Sequence, residues 1–310
     1  MEKSSSIFVT GARGLVGSAI VRILQEKGFT NILTPSRDEL DLMDTTAVEK
    51  YFAEKKPEYV IMAAARVGGI KANMTYPADF LHENLVMQEN VIWSAHKHDV
   101  KKLLFLGSSC IYPREALQPL KEEYFMTGPL EPTNEGYAVA KIAGMKLAEK
   151  LFEQYGKQFI SCMPTNIYGE NDHFDSERGH VIPGLIRRMY DAKMSGAPEV
   201  AVWGTGNARR EFLYSDDLAE AVLLLMEQYD KKEFLNVGIG DDIAIRDLAE
   251  LIQKTVGYEG KLVFDTSKPD GMPRKYMDSN KVCALGWEPK IMLEEGLKRS
   301  YAWFLTHEIK

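Results

Sequence analysis

At 310 residues the chain is too long for one small core, so one large domain or two unequal ones is the expectation. Hydrophobic residues at 45% and charged residues at 27% exclude the disordered and fibrous classes. A formal net charge of -7 speaks against nucleic acid or an anionic membrane surface as a partner, because phosphates call for a net basic face.

The elements follow in chain order. MEKSSSIFVTG has no apolar leader before its first glycine turn. Strands are expected over Ser6 to Thr10, Asn31 to Pro35, Tyr59 to Ala64, Lys102 to Gly107 and Phe159 to Pro164. Helices alternate with them at roughly Leu15 to Lys27, Thr46 to Lys55, Asp79 to His98 and Tyr137 to Gln154, where apolar residues recur at i, i+3 and i+4. Strands that are almost wholly apolar are buried on both faces, and their alternation with helices marks a parallel, doubly wound sheet. The fold class expected is therefore α/β, a Rossmann-type doubly wound parallel sheet with a second, smaller α/β substrate-binding domain. The boundaries expected are 1–165 for the first, joined by part of about 210–236, and 166–310 for the second. In the second half, helices are expected at Pro183 to Met194, from Asp217, at Ile245 to Thr255 and at Met292 to Thr306, with strands at VAVW, EFLY and FLNV. Asp216 and Asp217 read as a helix N-cap with first-turn charge.

No window approaches eighteen apolar residues, so no membrane partner is expected. Cys110, Cys162 and Cys283 are odd in number and widely spaced, which fits neither a disulfide framework nor a metal site. A reducing cytoplasm fits that usage, and no metal is expected.

Two constellations carry chemistry. In TGARGLVGSAIV, Gly11, Gly14 and Gly17 lie between a strand and a helix. Such a turn brings backbone close to a pyrophosphate seated on the helix N-terminus, which makes Gly11, Ala12, Arg13, Gly14, Leu15, Val16 and Gly17 a dinucleotide loop. Arg37 at the end of the second strand and Arg13 in the loop favour the extra phosphate of NADP, while Asp38 keeps NAD open. Second, GYAVAKIAG sets Tyr137 and Lys141 four residues apart, on one helical face. The ammonium beside the phenol favours its ionised form and makes it a usable proton carrier. GSSC follows the fourth strand at the carboxyl edge of the sheet, where α/β folds bind ligands, so Ser108 would join Tyr137 on a substrate carbonyl. Cys162, inside an apolar strand, reads as packing. Cys110, at the ligand edge, is a candidate for chemistry.

TGARGLVG with the Ser108, Tyr137 and Lys141 triad resembles the extended short-chain dehydrogenase/reductase superfamily. AAARVGGI, GSSCIYP, PTNIYGEND, GHVIPGLIRR, WGTGNARREFLYSDDLA and KPDGMPRK together resemble, more narrowly, its GDP-L-fucose synthase family, over nearly the whole chain. The resemblance implies epimerisation of a GDP-4-keto-6-deoxy-mannose at carbons 3 and 5, then reduction of its ketone by NADPH. It implies that Cys110 and His180 exchange the epimerisation protons. His173, close by in GENDHFD, leaves open which imidazole acts. Leu106, Gly107, Ser108, Ser109, Pro164, Thr165, Asn166, Ile167 and His180 would border the cofactor together with the glycine loop. Arg188, Trp203, Arg210 and Asp270 would hold the GDP-sugar, and two copies would pair as a homodimer. The rival readings are a 4-epimerase or 4,6-dehydratase on the same scaffold, and a dinucleotide-sensing module without activity. Deuterium incorporation at both carbons separates the first two from a 3,5-epimerase.

Overall fold

A computed structural model describes residues 1–176, 179–268 and 270–309. The chain runs β1 (Ile7–Thr10), α1 (Leu15–Glu26), β2 (Ile32–Leu33), α2 (Thr45–Lys55), β3 (Tyr59–Met62), α3 (Ile70–Thr75), α4 (Pro77–Lys97), β4 (Lys102–Leu106), α5 (Glu135–Tyr155) and β5 (Gln158–Pro164). It continues through β6 (Asn166–Tyr168), α6 (Val181–Ser195), β7 (Glu199–Trp203), β8 (Arg209–Arg210), β9 (Phe212–Tyr214), α7 (Ser215–Gln228), β10 (Leu235–Val237) and β11 (Ile243–Ala244). It ends with α8 (Ile245–Val256), β12 (Lys261–Asp265), β13 (Arg274–Lys275), α9 (Asn280–Cys283) and α10 (Leu293–His307).

Six strands form one parallel sheet in the order β10-β5-β4-β3-β1-β2, with Ile7 opposite both Ile32 and Tyr59 and Lys102 opposite Gln158. Alternation along each strand sorts its side chains between two layers. Ile7 and Val9 join Ile61, Leu104 and the apolar faces of α1 and α7. Phe8 joins Val60, Phe105 and residues of α2, α4 and α5 such as Phe52, Val91 and Met145. Both faces are thus covered, which is why β1 and β4 are buried throughout and, apart from Thr10 and Lys102 at their ends, apolar. A third core, with Leu185, Met189, Ile252 and Phe304, joins α6, α8 and α10.

β10 pairs with β5, and α7 lies in the α1 core, so this part of the second half returns to the large sheet. The smaller sheets are β12 with β7, β6 with β9, and β11-β8-β13. The N-cap assignment at Asp216 and Asp217 is corrected: Tyr214 is the N-cap residue, and both acids lie inside the first turn of α7. Asp216 pairs with Arg22. Asp217 accepts the backbone N–H groups of Lys290 and Ile291 at 3.1 and 2.9 Å. No helix among the described residues is long and apolar enough to cross a membrane.

The order in which strands are added across the sheet reverses between β1 and β3, because β2 lies on the far side of β1. In an open α/β sheet, such a switch leaves a crevice at the carboxyl ends of the strands.

Candidate active site

A cavity of about 1230 Å³ opens at that crevice. Its glycine wall is shaped by sterics. Gly11 has φ +67, and a Cβ there would lie 2.9 Å from the backbone of Ala64. A Cβ on Gly17 would press into the carbonyl of Gly11 and lie 2.9 Å from Ala12 Cα. Gly14 donates its N–H to Gly11 O at 3.0 Å and stands as N-cap of α1 without a side-chain cap. The first N–H groups of α1 are thus left for a ligand. Ala12, Arg13, Leu15, Val16 and Arg37 also line this end, and both arginines are exposed. Such a cradle fits a pyrophosphate, with the two guanidiniums in reach of a further phosphate.

The opposite wall carries the remaining polar groups. Lys141, 3% exposed, donates from Nζ to Leu106 O at 2.8 Å and sits 5.8 Å from the centre of the Tyr137 ring. Burial lowers its ammonium to about 8, against the opposing influence of Cys110. Burial also pushes the Tyr137 phenol upward, Cys110 adds to this, and a hydrogen bond with Ser108 acts against it. This reverses the direction expected from the adjacent ammonium, since desolvation of the phenolate prevails. The phenol of Tyr137 is thereby held in its neutral form. Ser108 Oγ also accepts Cys110 N at 3.2 Å, which turns the chain after β4 and brings the thiol beside the triad. Cys110 is half-buried, whereas Cys162 is fully buried in β5.

Two residues that the sequence reading did not single out surround the sulfur. Asn134 donates from Nδ2 to Cys110 Sγ at 3.1 Å, and Lys275 Nζ lies 3.8 Å from it. Lys275 stood inside a motif used only for resemblance. Asn134, three residues before Tyr137, carried no signal of its own.

His180 lines the same cavity as N-cap residue of α6. The side chain is 45% accessible. Burial acts downward on the imidazole and Asp172 upward, and the net direction is upward. His173 also borders the cavity, with 76% of its side chain accessible and Asp175 at 3.9 Å.

Gly107, Ser109, Pro164, Thr165, Asn166 and Ile167 line the floor. Asn166 is fixed by its Nδ2 donating to Glu211 O at 2.8 Å. Farther out, Arg188 donates to Ala201 O at 2.6 Å, and its guanidinium lies 5.8 Å from the centre of the Trp203 ring. Arg210 donates from Nη2 to Asp270 O at 3.1 Å. Both carboxylate oxygens of Asp270 are taken by Thr205, through its N–H at 2.8 Å and its hydroxyl at 2.9 Å. Asp270 therefore fixes the turn that carries its carbonyl to Arg210.

The model of the NAD dependent epimerase/dehydratase family matches residues 7–238, three quarters of the chain. The chain belongs to that family. Within this epimerase/dehydratase family it is similar to the GDP-L-fucose synthase of Escherichia coli, 50% identical over 97% of each chain. A putative GDP-L-fucose synthase 2 of Arabidopsis thaliana is 57% identical over all of this chain and 94% of its own. The solved GDP-L-fucose synthetase of Naegleria fowleri bound to NADP superposes with a TM-score of 0.90 at 30% identity, covering 99% of this chain and 96% of that one.

Proposed function

We propose that this enzyme converts GDP-4-keto-6-deoxy-D-mannose to GDP-L-fucose, epimerising carbons 3 and 5 and reducing the ketone at carbon 4. The observation that carries this reading is one cavity whose wall holds Ser108, Tyr137 and Lys141 together with Cys110 and His180. A reductase or 4-epimerase needs only the first three. NADPH is the cofactor, and it supplies the hydride for carbon 4.

Protons on carbons 3 and 5 are acidic because they flank the ketone. Ser108 and Tyr137 donate to the ketone oxygen and stabilise the enolate. Cys110, as thiolate, removes the proton from one face. Lys275 Nζ, 3.8 Å from the sulfur, faces that charge, and Asn134 orients it through Nδ2. His180 returns a proton on the opposite face, which inverts the centre. In the reduction step Tyr137, kept neutral by burial, gives its proton to the oxygen at carbon 4. Lys141 then stands beside the phenolate that is left. Arg188 and Arg210 suit the diphosphate, and Trp203 offers a ring face to the nucleotide. Residues 1–165, joined by part of about 210–236, form the dinucleotide domain and 166–310 the substrate domain, with the reacting groups meeting in the cleft between them. Two copies pair through α4 and α5, where Trp93, Val139 and Tyr155 are exposed.

The test is incubation with the ketosugar and NADPH in heavy water. GDP-L-fucose carrying deuterium at carbons 3 and 5, with one NADPH consumed per product, is the expected result. Label at neither carbon, with NADPH still oxidised, would leave a simple reductase.

A further inference from the structure

The segment before α6 holds a buried carboxylate that the reaction above leaves without a task. The Asp172 side chain is 6% accessible. Its Oδ1 accepts His173 N at 2.8 Å and lies 3.9 Å from Nδ1 of His180. Its Oδ2 is buried and has no hydrogen-bond partner among the described residues. An unsatisfied buried carboxylate oxygen is rare enough in native proteins to call for a reason.

The position is held from both sides. Asn171, at φ +60, donates from Nδ2 to Ser18 Oγ at 3.2 Å on α1, the helix that follows the glycine turn. Phe174 is 5% exposed and packs on Trp303 and Phe304 of α10. Between these anchors the carboxylate has little freedom to leave His180. The imidazole itself sits at the N-terminus of α6, where the positive end of the helix opposes a protonated ring. A histidine there needs a local anion to serve as an acid. Asp172 is the charged group acting on the ring. The other titratable side chains on the cavity wall include His173 of the same segment, Arg188 of α6, Arg210 and Asp270, Glu131, Arg13 of the glycine loop, Cys110, Tyr137, Lys141 and Lys275.

We propose that Asp172 is the positioning residue for His180. It accepts the Nδ1 proton, leaves Nε2 to the sugar carbon, and balances the charge of the ring when it carries the proton that epimerisation returns. The separation of 3.9 Å closes to hydrogen-bond length by a small rotation of the imidazole, a tightening common when substrate binds. This assignment rests on His180 being the epimerisation acid.

The test uses the full-length protein with isotope-labelled histidines, the His180 signal being assigned by its loss in His180→Gln. In the wild type, His180 titrates above the ordinary histidine range near 6.5. In Asp172→Asn, its midpoint falls by about one pH unit. The pH at which deuterium wash-in into the ketosugar is half-maximal falls with it, so that wash-in above the midpoint drops about tenfold. An unchanged midpoint overturns the proposal, as does a loss of wash-in by the same factor at every pH. Should Asp172→Asn not fold, the wild-type titration decides alone, and a His180 midpoint below that of exposed His173 overturns the proposal. Absence of wash-in from the wild type refutes the proposed function instead, and the His180 titration can still be read.

Discussion

Replacing Lys141 with Met separates stability from activity. Taken out of water, this ammonium falls from its ordinary 10.5 to about 8, and its Nζ donates a hydrogen bond to Leu106 O. With the folded value below the unfolded one, the unfolded chain binds the proton more tightly between pH 8 and 10.5. Stability therefore rises with pH through that window, and the whole difference is lost once pH falls below the folded value. At about 1.4 kcal/mol per pH unit, the burial costs about 3 kcal/mol at pH 7. Met fills a similar volume with nothing to desolvate, but it leaves the Leu106 carbonyl without its donor, a loss of about 1–2 kcal/mol. The net expectation at pH 7 is a gain of about 1–2 kcal/mol, and a rise of a few degrees in Tm for a chain of this size. Guanidinium unfolding at pH 7 and pH 10 reads it directly: Lys141→Met leads at pH 7, the lead closes or reverses at pH 10, and NADPH-dependent turnover is lost at both. A variant that is less stable at pH 7, or whose lead does not change with pH, refutes the claim that the ammonium is held at the expense of folding.

Three more outcomes are expected. Gly17→Ala drives a Cβ into the Gly11 carbonyl and toward Ala12, backbone atoms that cannot yield without opening the turn. NADPH affinity falls by at least tenfold in a fluorescence titration, and unchanged affinity would show that the turn does not form the cradle. Arg37→Ala removes a guanidinium from the cavity mouth. The preference for NADPH over NADH in kcat/KM drops about 10- to 100-fold, as for loss of a charge-assisted contact; an unchanged ratio assigns the extra phosphate elsewhere. Glu211 is fully buried, and burial pushes its carboxyl up to about 7 against hydrogen bonds from Gly240, Thr165 and Met277. A raised folded value means that wild-type stability falls as pH rises from about 4.5 to 7, by about 3 kcal/mol. Glu211→Gln lacks that slope, so urea midpoints at pH 5 and 7.5 should diverge between the two proteins. Parallel midpoints would place the carboxylate in a better-solvated setting.

The parallel sheet was legible because burial on both faces leaves a mark in the sequence itself. Ile7, Phe8 and Val9 must all be apolar when alternate residues meet α1 on one side and α2 on the other. Strand β8, two residues long, has no period to detect, and Arg209 and Arg210 are there because β11 and β13 meet them. The helix α3 escaped for a related reason, being six residues long beside the longer pattern of α4. The triad could be read because a phenol and an amine one turn apart are set by the helix alone. Asn134 and Lys275 reach Cys110 from 24 and 165 residues away, and no local spacing encodes such a meeting. The same division explains the direction of the Tyr137 shift, which the neighbouring ammonium suggested wrongly. Sequence shows which charge is adjacent, whereas desolvation depends on what the fold closes around it. Groups that exchange protons with substrate are drawn from few residue types and betray themselves by type. Groups that set their charge state, such as Asp172 beside His180, need only the right sign at the right place, and any segment of the chain can supply them.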